Sequence, residues 1–329
     1  MRFFRLLFAL FLVFIFLPDA FAAPAEHAII ISFDGLRPDA ITRLGEKGAP
    51  HFYHMMKNGA YTFNARTDPD WTVTMPNHTC MITGRGVEGK DGHNYTDNSS
   101  ALSSIQEHKG SYVAGIFDVA KEHGLSTGFF VSKLKFKVFL NSYGKNIDSA
   151  FVSDQQDMKT LERFLLQASR KLPNLTFIHF SGPDFAGHHH GWSLDKGSAY
   201  LAAVQKEDAY LGRIMDMLTD HAELLNSTVI WITSDHGGSG MNHADIHRVE
   251  DYRVPLIIWG KDVATGVDLY KINMGIRKDP GDRQVPYAEA LQPIRNGDVA
   301  NGALKALGLP PVPGSTIGNP EAVRSSPEQ

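Results

Sequence analysis

The chain has 329 residues, 43% hydrophobic and 21% charged, with a formal net charge of −4. That is globular composition with length enough for a large core, and the slightly acidic balance excludes a global field that would attract nucleic acid duplexes. A single cysteine, Cys80, excludes an internal disulfide.

The first element in chain order reads as an export signal. Arg2 and Arg5 precede an apolar run from Leu6 to Leu17, Pro18 breaks the run, and Ala20-Phe21-Ala22 follows in small-x-small form. This predicts a signal peptide over residues 1–22, removed near Ala22 or Ala23. The run is too short to span a bilayer comfortably, and no other stretch is long enough to be a membrane helix. The expectation is an exported protein, periplasmic or secreted, with a bacterial periplasm suiting the lone cysteine. Residues 23–329 then read as a single domain.

The next segment, "HAIIISFDG", reads as a buried strand ending at Asp34-Gly35. Helical patterns follow at Arg37–Glu46 and Pro50–Lys57. Residues 70–85, "DWTVTMPNHTCMITGR", offer several hydroxyls and the only thiol, and a polar stretch runs as loop to about Gly110. Val113–His123 reads as helix, "STGFFVS" as strand, Leu161–Lys171 as helix and "NLTFIHF" as strand. Lys196–Leu225 is one long amphipathic helical pattern; "STVIWITSDHGG" and "VPLIIWG" are strands, and Val299–Leu307 is the last helix. The Pro/Gly/Ser-rich tail from Pro310 is expected to be frayed. Strands alternating with helices predict an α/β fold: a mostly parallel sheet with helices on both faces. Ligands of such sheets bind beyond the carboxyl ends of the strands.

Three strand ends carry metal-type residues: Asp34, the Ser181–His188 segment with Asp184 and His188 one helical turn apart, and Asp235-His236, followed by His243 and His247. Singly, each has a plainer reading as a turn, a cap or a histidine-rich loop. Together they provide three carboxylates and at least three imidazoles, a donor set that suits zinc or a similar divalent ion. Six ligands exceed what one tetrahedral ion with an open position uses, and they fit two ions. A two-metal site stabilises the attacking and leaving oxygens of a displacement at phosphorus and activates a hydroxyl without a separate base.

The motifs "SFDGLRPD", "TVTMPNHTCMITG", "GPDFAGHHHG" and "SDHGG…NH", in this order, resemble the alkaline phosphatase superfamily, nearest its type I phosphodiesterase/nucleotide pyrophosphatase branch. The resemblance covers about His27 to Gly260 and adds "IRNGDVANGALKALGLPPVPGS". It implies a hydrolase of small-molecule phosphate diesters or pyrophosphates. Thr74 would be the nucleophile, forming a phospho-threonine that water hydrolyses. Asp34, Asp235, His236 and Thr74 would hold one zinc ion; Asp184, His188 and His243 would hold the other, with His247 as the alternative last ligand. Asn94 would bind a non-bridging phosphate oxygen, helped by the Met75 N–H at a helix start. Met75 stands where nucleotide-cleaving relatives carry an aromatic, so nucleotide specificity does not carry over. Nucleotides, phospholipid headgroups and glycerophosphodiesters stay open as substrates.

Other readings are weaker on their own residues. "GRGVEGKD" nearly spells a phosphate-binding loop, but Asp91 occupies the Ser/Thr position. Cys80 lacks the downstream residues of a modified sulfatase cysteine and reads as a small core filler. Lys133 and Lys135 in "SKLKF" read by default as solvated surface, with a phosphate contact as the alternative. The alternatives on the same site are a phosphomonoesterase or phosphonate hydrolase, for which no arginine is evident to hold a dianion. A catalytically dead binding protein is the remaining class. Three glycosylation sequons, at Asn77, Asn94 and Asn98, crowd the same region.

Overall fold

The computed structural model describes residues 23–99 and 103–327; the expected signal peptide lies outside them. The strands are β1 (His27–Phe33), β2 (Ala60–Arg66), β3 (Thr127–Val131), β4 (Ser149–Val152), β5 (Leu175–Phe180), β6 (Thr228–Thr233), β7 (Arg253–Gly260) and β8 (Val267–Asp268). They form one sheet in the order β4-β3-β5-β1-β6-β7-β2-β8. Pairing is parallel from β4 through β6. β7 is antiparallel to both β6 and β2, and β8 runs parallel to β2.

The apolar runs read from the sequence are central strands buried on both faces. All seven residues of β1 are buried, and their side chains alternate between two cores as the period of a strand requires. Ile30, Phe177, Phe129 and Trp231 point into one core; Ile29, Ile31, Phe33, Ile178, Phe180, Ile230 and Ile232 point into the other. Helices Asp157–Arg170 and Ala199–Thr219 cover the second face, and Ile116–Glu122 and Asp298–Ala306 cover the first.

Four differences from the sequence reading have physical causes. β2, β4 and β8 are short or mixed in polarity, so their pattern does not stand out from loop. The pattern at Lys196–Leu225 divides into a helix over Ala199–Thr219 and a short turn over Ala222–Leu225. The histidines of "GHHH" extend the Gly182–His190 helix instead of a loop. The tail from Pro310 is packed, not frayed: Val312, Ile317 and Val323 are buried, and the Thr316 and Ile317 N–H groups donate to Gly84 O at 2.8 and 2.7 Å. The Gly84 carbonyl ends the Thr74–Thr83 helix, so the tail supplies partners that the helix end itself lacks.

This topology sets four chain crossings side by side. β3, β5, β1 and β6 are neighbours and parallel, so their carboxyl ends emerge on one edge. That edge carries Lys133, Asp184 with His188, Asp34, and Asp235 with His236.

Candidate active site

The nucleophile candidate starts a helix. Thr74 is the first residue of Thr74–Thr83, every residue of which is buried. His78, one turn on, fastens this start to the sheet: its Nδ1 meets Thr74 O at 2.8 Å and its Nε2 meets Ser32 Oγ at 2.8 Å. Thr74 Oγ1 lies 3.4 Å from His236 Nε2. Cys80 points away, into a small cluster with Val87 and Ile317, and burial raises its thiol pKa well above the ordinary value. It is a packing residue in this fold.

The carboxylates converge from three strand ends. Asp34 follows β1, and a tight turn sets it against the Gly182–His190 helix. Gly35 adopts φ 71°, and a Cβ there would sit 2.9 Å from Asp184 Cα, so only glycine lets the two segments approach. The Asp184 N–H donates to Asp34 O at 2.9 Å. Asp34, Asp235 and His236 form one group whose candidate ligand atoms lie within 4.8 Å of one another; Asp184, His188 and His243 form a second. His236 Nε2 stands 3.5 Å from Asp34 Oδ1 and 3.1 Å from Asp235 Oδ2. His188 Nε2 is 3.3 Å and His243 Nε2 3.9 Å from Asp184 Oδ1. His247 is exposed, its N–H donating to Asp245 Oδ1 at 3.0 Å, so His243 is the histidine the fold brings to Asp184.

Two observations fit these groups to cations. Asp34 Oδ1, Asp184 Oδ1 and Asp235 Oδ2 are buried with no hydrogen-bond partner, and these are the oxygens that face the imidazole Nε2 atoms. A buried carboxylate oxygen without a partner carries a large cost unless a cation satisfies it. The three histidines also share an orientation. His236 Nδ1 meets Gly237 O at 2.9 Å, His243 Nδ1 meets Thr72 O at 2.6 Å, and His188 Nδ1 meets Met241 O at 3.3 Å. A backbone carbonyl on Nδ1 fixes the tautomer that leaves Nε2 as a lone-pair donor, as metal-binding histidines require.

The charges are strongly coupled. Burial disfavours the Asp34 anion, but Lys133 and His179 outweigh it and hold the carboxyl well below its ordinary range. Lys133 Nζ lies 2.7 Å from Asp34 Oδ2 and 2.6 Å from Asp184 Oδ2, and these partners overcome burial to raise its pKa. His179 Nε2 adds a contact to Asp34 Oδ2 at 2.9 Å. Lys133 and His179 thus occupy one Asp34 oxygen and leave the other free. Burial and then its proximity to His236 push His243 down to about 3, whereas Asp235, Asp34 and Asp184 overcome burial and lift His236 to about 9.

The sequence reading missed four residues here. Lys133 is an ion-pair partner of two candidate ligands, not solvated surface. His179 sits inside an apolar strand, and His78 at i+4 from Thr74 was the only one with a local signal. The fourth is an asparagine. Asn94 is not at Thr74: it is exposed, and its amide, oriented with nitrogen toward carbonyls, donates to Val87 O and Gly89 O at 3.2 and 2.9 Å and accepts from Lys109 Nζ at 3.2 Å. Asn98, also exposed, is the asparagine that reaches the start of the Thr74–Thr83 helix. Its Oδ1 accepts the Met75 N–H at 3.2 Å and Lys135 Nζ at 2.9 Å. Asn94 itself adopts φ 56° in the polar loop that joins the two residues. Asn77, the other sequon asparagine in the helix, is fully buried and bonded to the Asp68 N–H and Trp71 O.

The sequence matches the family described as type I phosphodiesterase / nucleotide pyrophosphatase over residues 28–295. The chain belongs to that family. Murine ectonucleotide pyrophosphatase / phosphodiesterase 5 superposes with a TM-score of 0.60 at 15% identity, over 86% of this chain and 95% of that one. The phosphonate monoester hydrolase of Silicibacter pomeroyi gives 0.60 at 12% identity, over 86% and 73% of the two chains. At these identities the likeness is one of fold, the alkaline-phosphatase-like architecture. GPI ethanolamine phosphate transferase 1 of Schizosaccharomyces pombe is 23% identical over 265 residues, 73% of this chain. The chain spans only 27% of that relative's length and 31% of the Candida glabrata protein of the same name.

Proposed function

We propose that this member of the phosphodiesterase / nucleotide pyrophosphatase family is a two-metal hydrolase of phosphate diesters or pyrophosphates with Thr74 as nucleophile. The observation that carries the reading is the position of Thr74 Oγ1, at the buried start of a helix and 3.4 Å from His236 Nε2, where the two ligand groups meet. Asp34, Asp235 and His236 would hold one divalent ion and Asp184, His188 and His243 the other; zinc suits the mixed carboxylate and imidazole set. Such ions would supply charge stabilisation at phosphorus and a lowered pKa for the attacking hydroxyl.

The chain's own residues have separable tasks. Thr74 Oγ bonds to phosphorus as the ester oxygen leaves, and water then cleaves the phospho-threonine and restores the hydroxyl. The Met75 N–H and Asn98 line the side of Thr74 where phosphate oxygens gather charge. His179 and Lys133 orient Asp34, and His78 fixes the helix start. Residues 1–22 would export the chain.

Acid-quenched protein incubated with zinc and bis(p-nitrophenyl) phosphate should yield a phosphorylated peptide containing Thr74. Turnover that persists in Thr74→Ala would sink the reading. The ethanolamine phosphate transferase relatives favour a second outcome of the same first step, in which an alcohol takes the phosphoryl group from Thr74. Product analysis with glycerol present separates transfer from hydrolysis.

A further inference from the structure

Lys133 and Lys135 leave the end of β3 together, but they have opposite surroundings. Lys133 is held between two carboxylates. Lys135 is half-buried and makes no ion pair among the described residues; its partner is the Asn98 amide oxygen at 2.9 Å. That oxygen also accepts the Met75 N–H. Two donors on one amide atom identify it as oxygen, so the Asn98 Nδ2 group remains a donor. Lys135 and the Asn98 amide, anchored to the first turn of the ten-residue Thr74–Thr83 helix by the Met75 N–H, therefore gather donors next to the nucleophile, with an ammonium that lacks a counter-charge. Burial, reinforced by Lys133, lowers the Lys135 pKa to about 8, as expected of an ammonium without an anion.

The balance of charge points the same way. Two divalent ions over the carboxylates of Asp34, Asp184 and Asp235 leave a small positive excess, to which both lysines add. A singly charged diester leaves much of that excess uncompensated.

We propose that Lys135, with the Asn98 Nδ2 group, forms an anion subsite that favours substrates carrying a second negative charge, as in pyrophosphates and phosphomonoesters, over singly charged diesters. Within the function proposed above the subsite selects pyrophosphates over diesters, it extends the substrate class to phosphomonoesters, and it rests on Thr74 being the reacting residue. It also supplies the cation for which no arginine is evident in the sequence.

Three substrates test it with the zinc-loaded full chain. p-Nitrophenyl phosphate carries the extra charge on the reacting phosphorus, UDP-glucose carries it on the neighbouring phosphate, and bis(p-nitrophenyl) phosphate lacks it. Lys135→Met should lower kcat/KM at least about tenfold on one or both of the charge-rich substrates, the loss of one charged hydrogen bond, and by a clearly smaller factor on the bis-ester. Which of the two falls identifies where the charge is read. Lys135→Arg should restore most of the preference. An equal fall on all three, or none, overturns the subsite. Calorimetric binding of inorganic phosphate is independent of turnover and should weaken about tenfold in Lys135→Met; unchanged or undetectable phosphate binding by the wild type and variant also overturns it. If the wild type hydrolyses no ester while phosphate binding still depends on Lys135, the proposed function fails and the subsite stands.

Discussion

The imidazoles of His236 and His243 stack face to face, with centroids 3.6 Å apart and planes within 6°. Each belongs to a different ligand group, so the stack is the joint between the two halves of the site. Two imidazolium rings at that spacing would repel strongly. Without metal the pair divides the charge: burial and then His236 push His243 down to about 3, whereas Asp235, Asp34 and Asp184 overcome burial and lift His236 to about 9. Asp184 Oδ1 touches both sides, 4.0 Å from His236 Nε2 and 3.9 Å from His243 Nε2. Loading one half with an ion therefore changes the field in the other.

Nucleophile identity is the first test. Thr74→Ala should reduce kcat by about three orders of magnitude or more, the scale of losing a group central to the reaction. Cys80→Ala removes one buried sulfur and should cost about 1 kcal/mol of stability with activity nearly intact. A larger loss of activity in the cysteine variant would reverse the assignment.

Chelation should abolish turnover and lower Tm, because ions that bind only the folded state stabilise it. His243→Ala should weaken zinc binding by at least about tenfold, as removing a direct ligand exceeds the loss of an outer partner. His247→Ala, at an exposed position, should leave zinc binding unchanged in calorimetry.

Lys133 gives a prediction specific to the metal-free state. Lys133→Met leaves Asp34 and Asp184 without their shared ammonium, and breaking a buried pair costs roughly 3–5 kcal/mol. The chelated variant should melt several degrees below the chelated wild type. Zinc should then raise its Tm by more than it raises that of the wild type, since the ions face less opposing charge. Equal rises would show that Lys133 does not share the ligands' field.

The two asparagines can be separated kinetically. Asn98→Ala should lower kcat about a hundredfold, the usual scale for one donor to developing charge. Asn94→Gly, which keeps the φ of 56° accessible, should change kcat less than about threefold. The opposite order would return the oxygen-binding role to Asn94.

Acid stability should report on His93, which is fully buried with Nε2 at 3.1 Å from Pro76 O. Burial lowers its pKa to about 3 from the ordinary 6.5. Between those values the unfolded chain binds a proton that the folded chain refuses. Stability from this group is complete above 6.5 and declines as pH falls toward 3, by an amount on the order of a few kcal/mol. In chelated protein, Tm should fall between pH 7.5 and 5, and His93→Gln should flatten that slope. An unchanged slope would mean that His93 does not govern it.

Much of this site can be read along the chain because its residues lie next to strong local signals. Asp34, Asp235 and His236 each end a run of buried β-branched residues, and a parallel sheet brings such ends to one edge. Asp184 and His188 share a helix face through their spacing. Thr74 followed by Met75-Pro76-Asn77 marks a helix start. These placements follow from backbone periodicity, which is a property of sequence.

Tertiary structure alone decided the rest. His179 and Lys133 differ in local pattern, yet both reach Asp34, 145 and 99 residues away along the chain, because packing makes β3, β5 and β1 neighbours. Asn94 and Asn98 are both exposed in the same polar loop, where no periodicity tells which one reaches the Thr74–Thr83 helix; the contacts of Asn98 with the Met75 N–H and Lys135 show which does. The tail from Pro310 has a composition that suggests fraying, but Ile317 fills the space beside Cys80 and its N–H, with that of Thr316, completes a helix end. Sequence determined which chemical groups were available and which strand ends carried them. The folded contacts decided which of those groups face Thr74, because charge and hydrogen bonding act through space rather than along the chain.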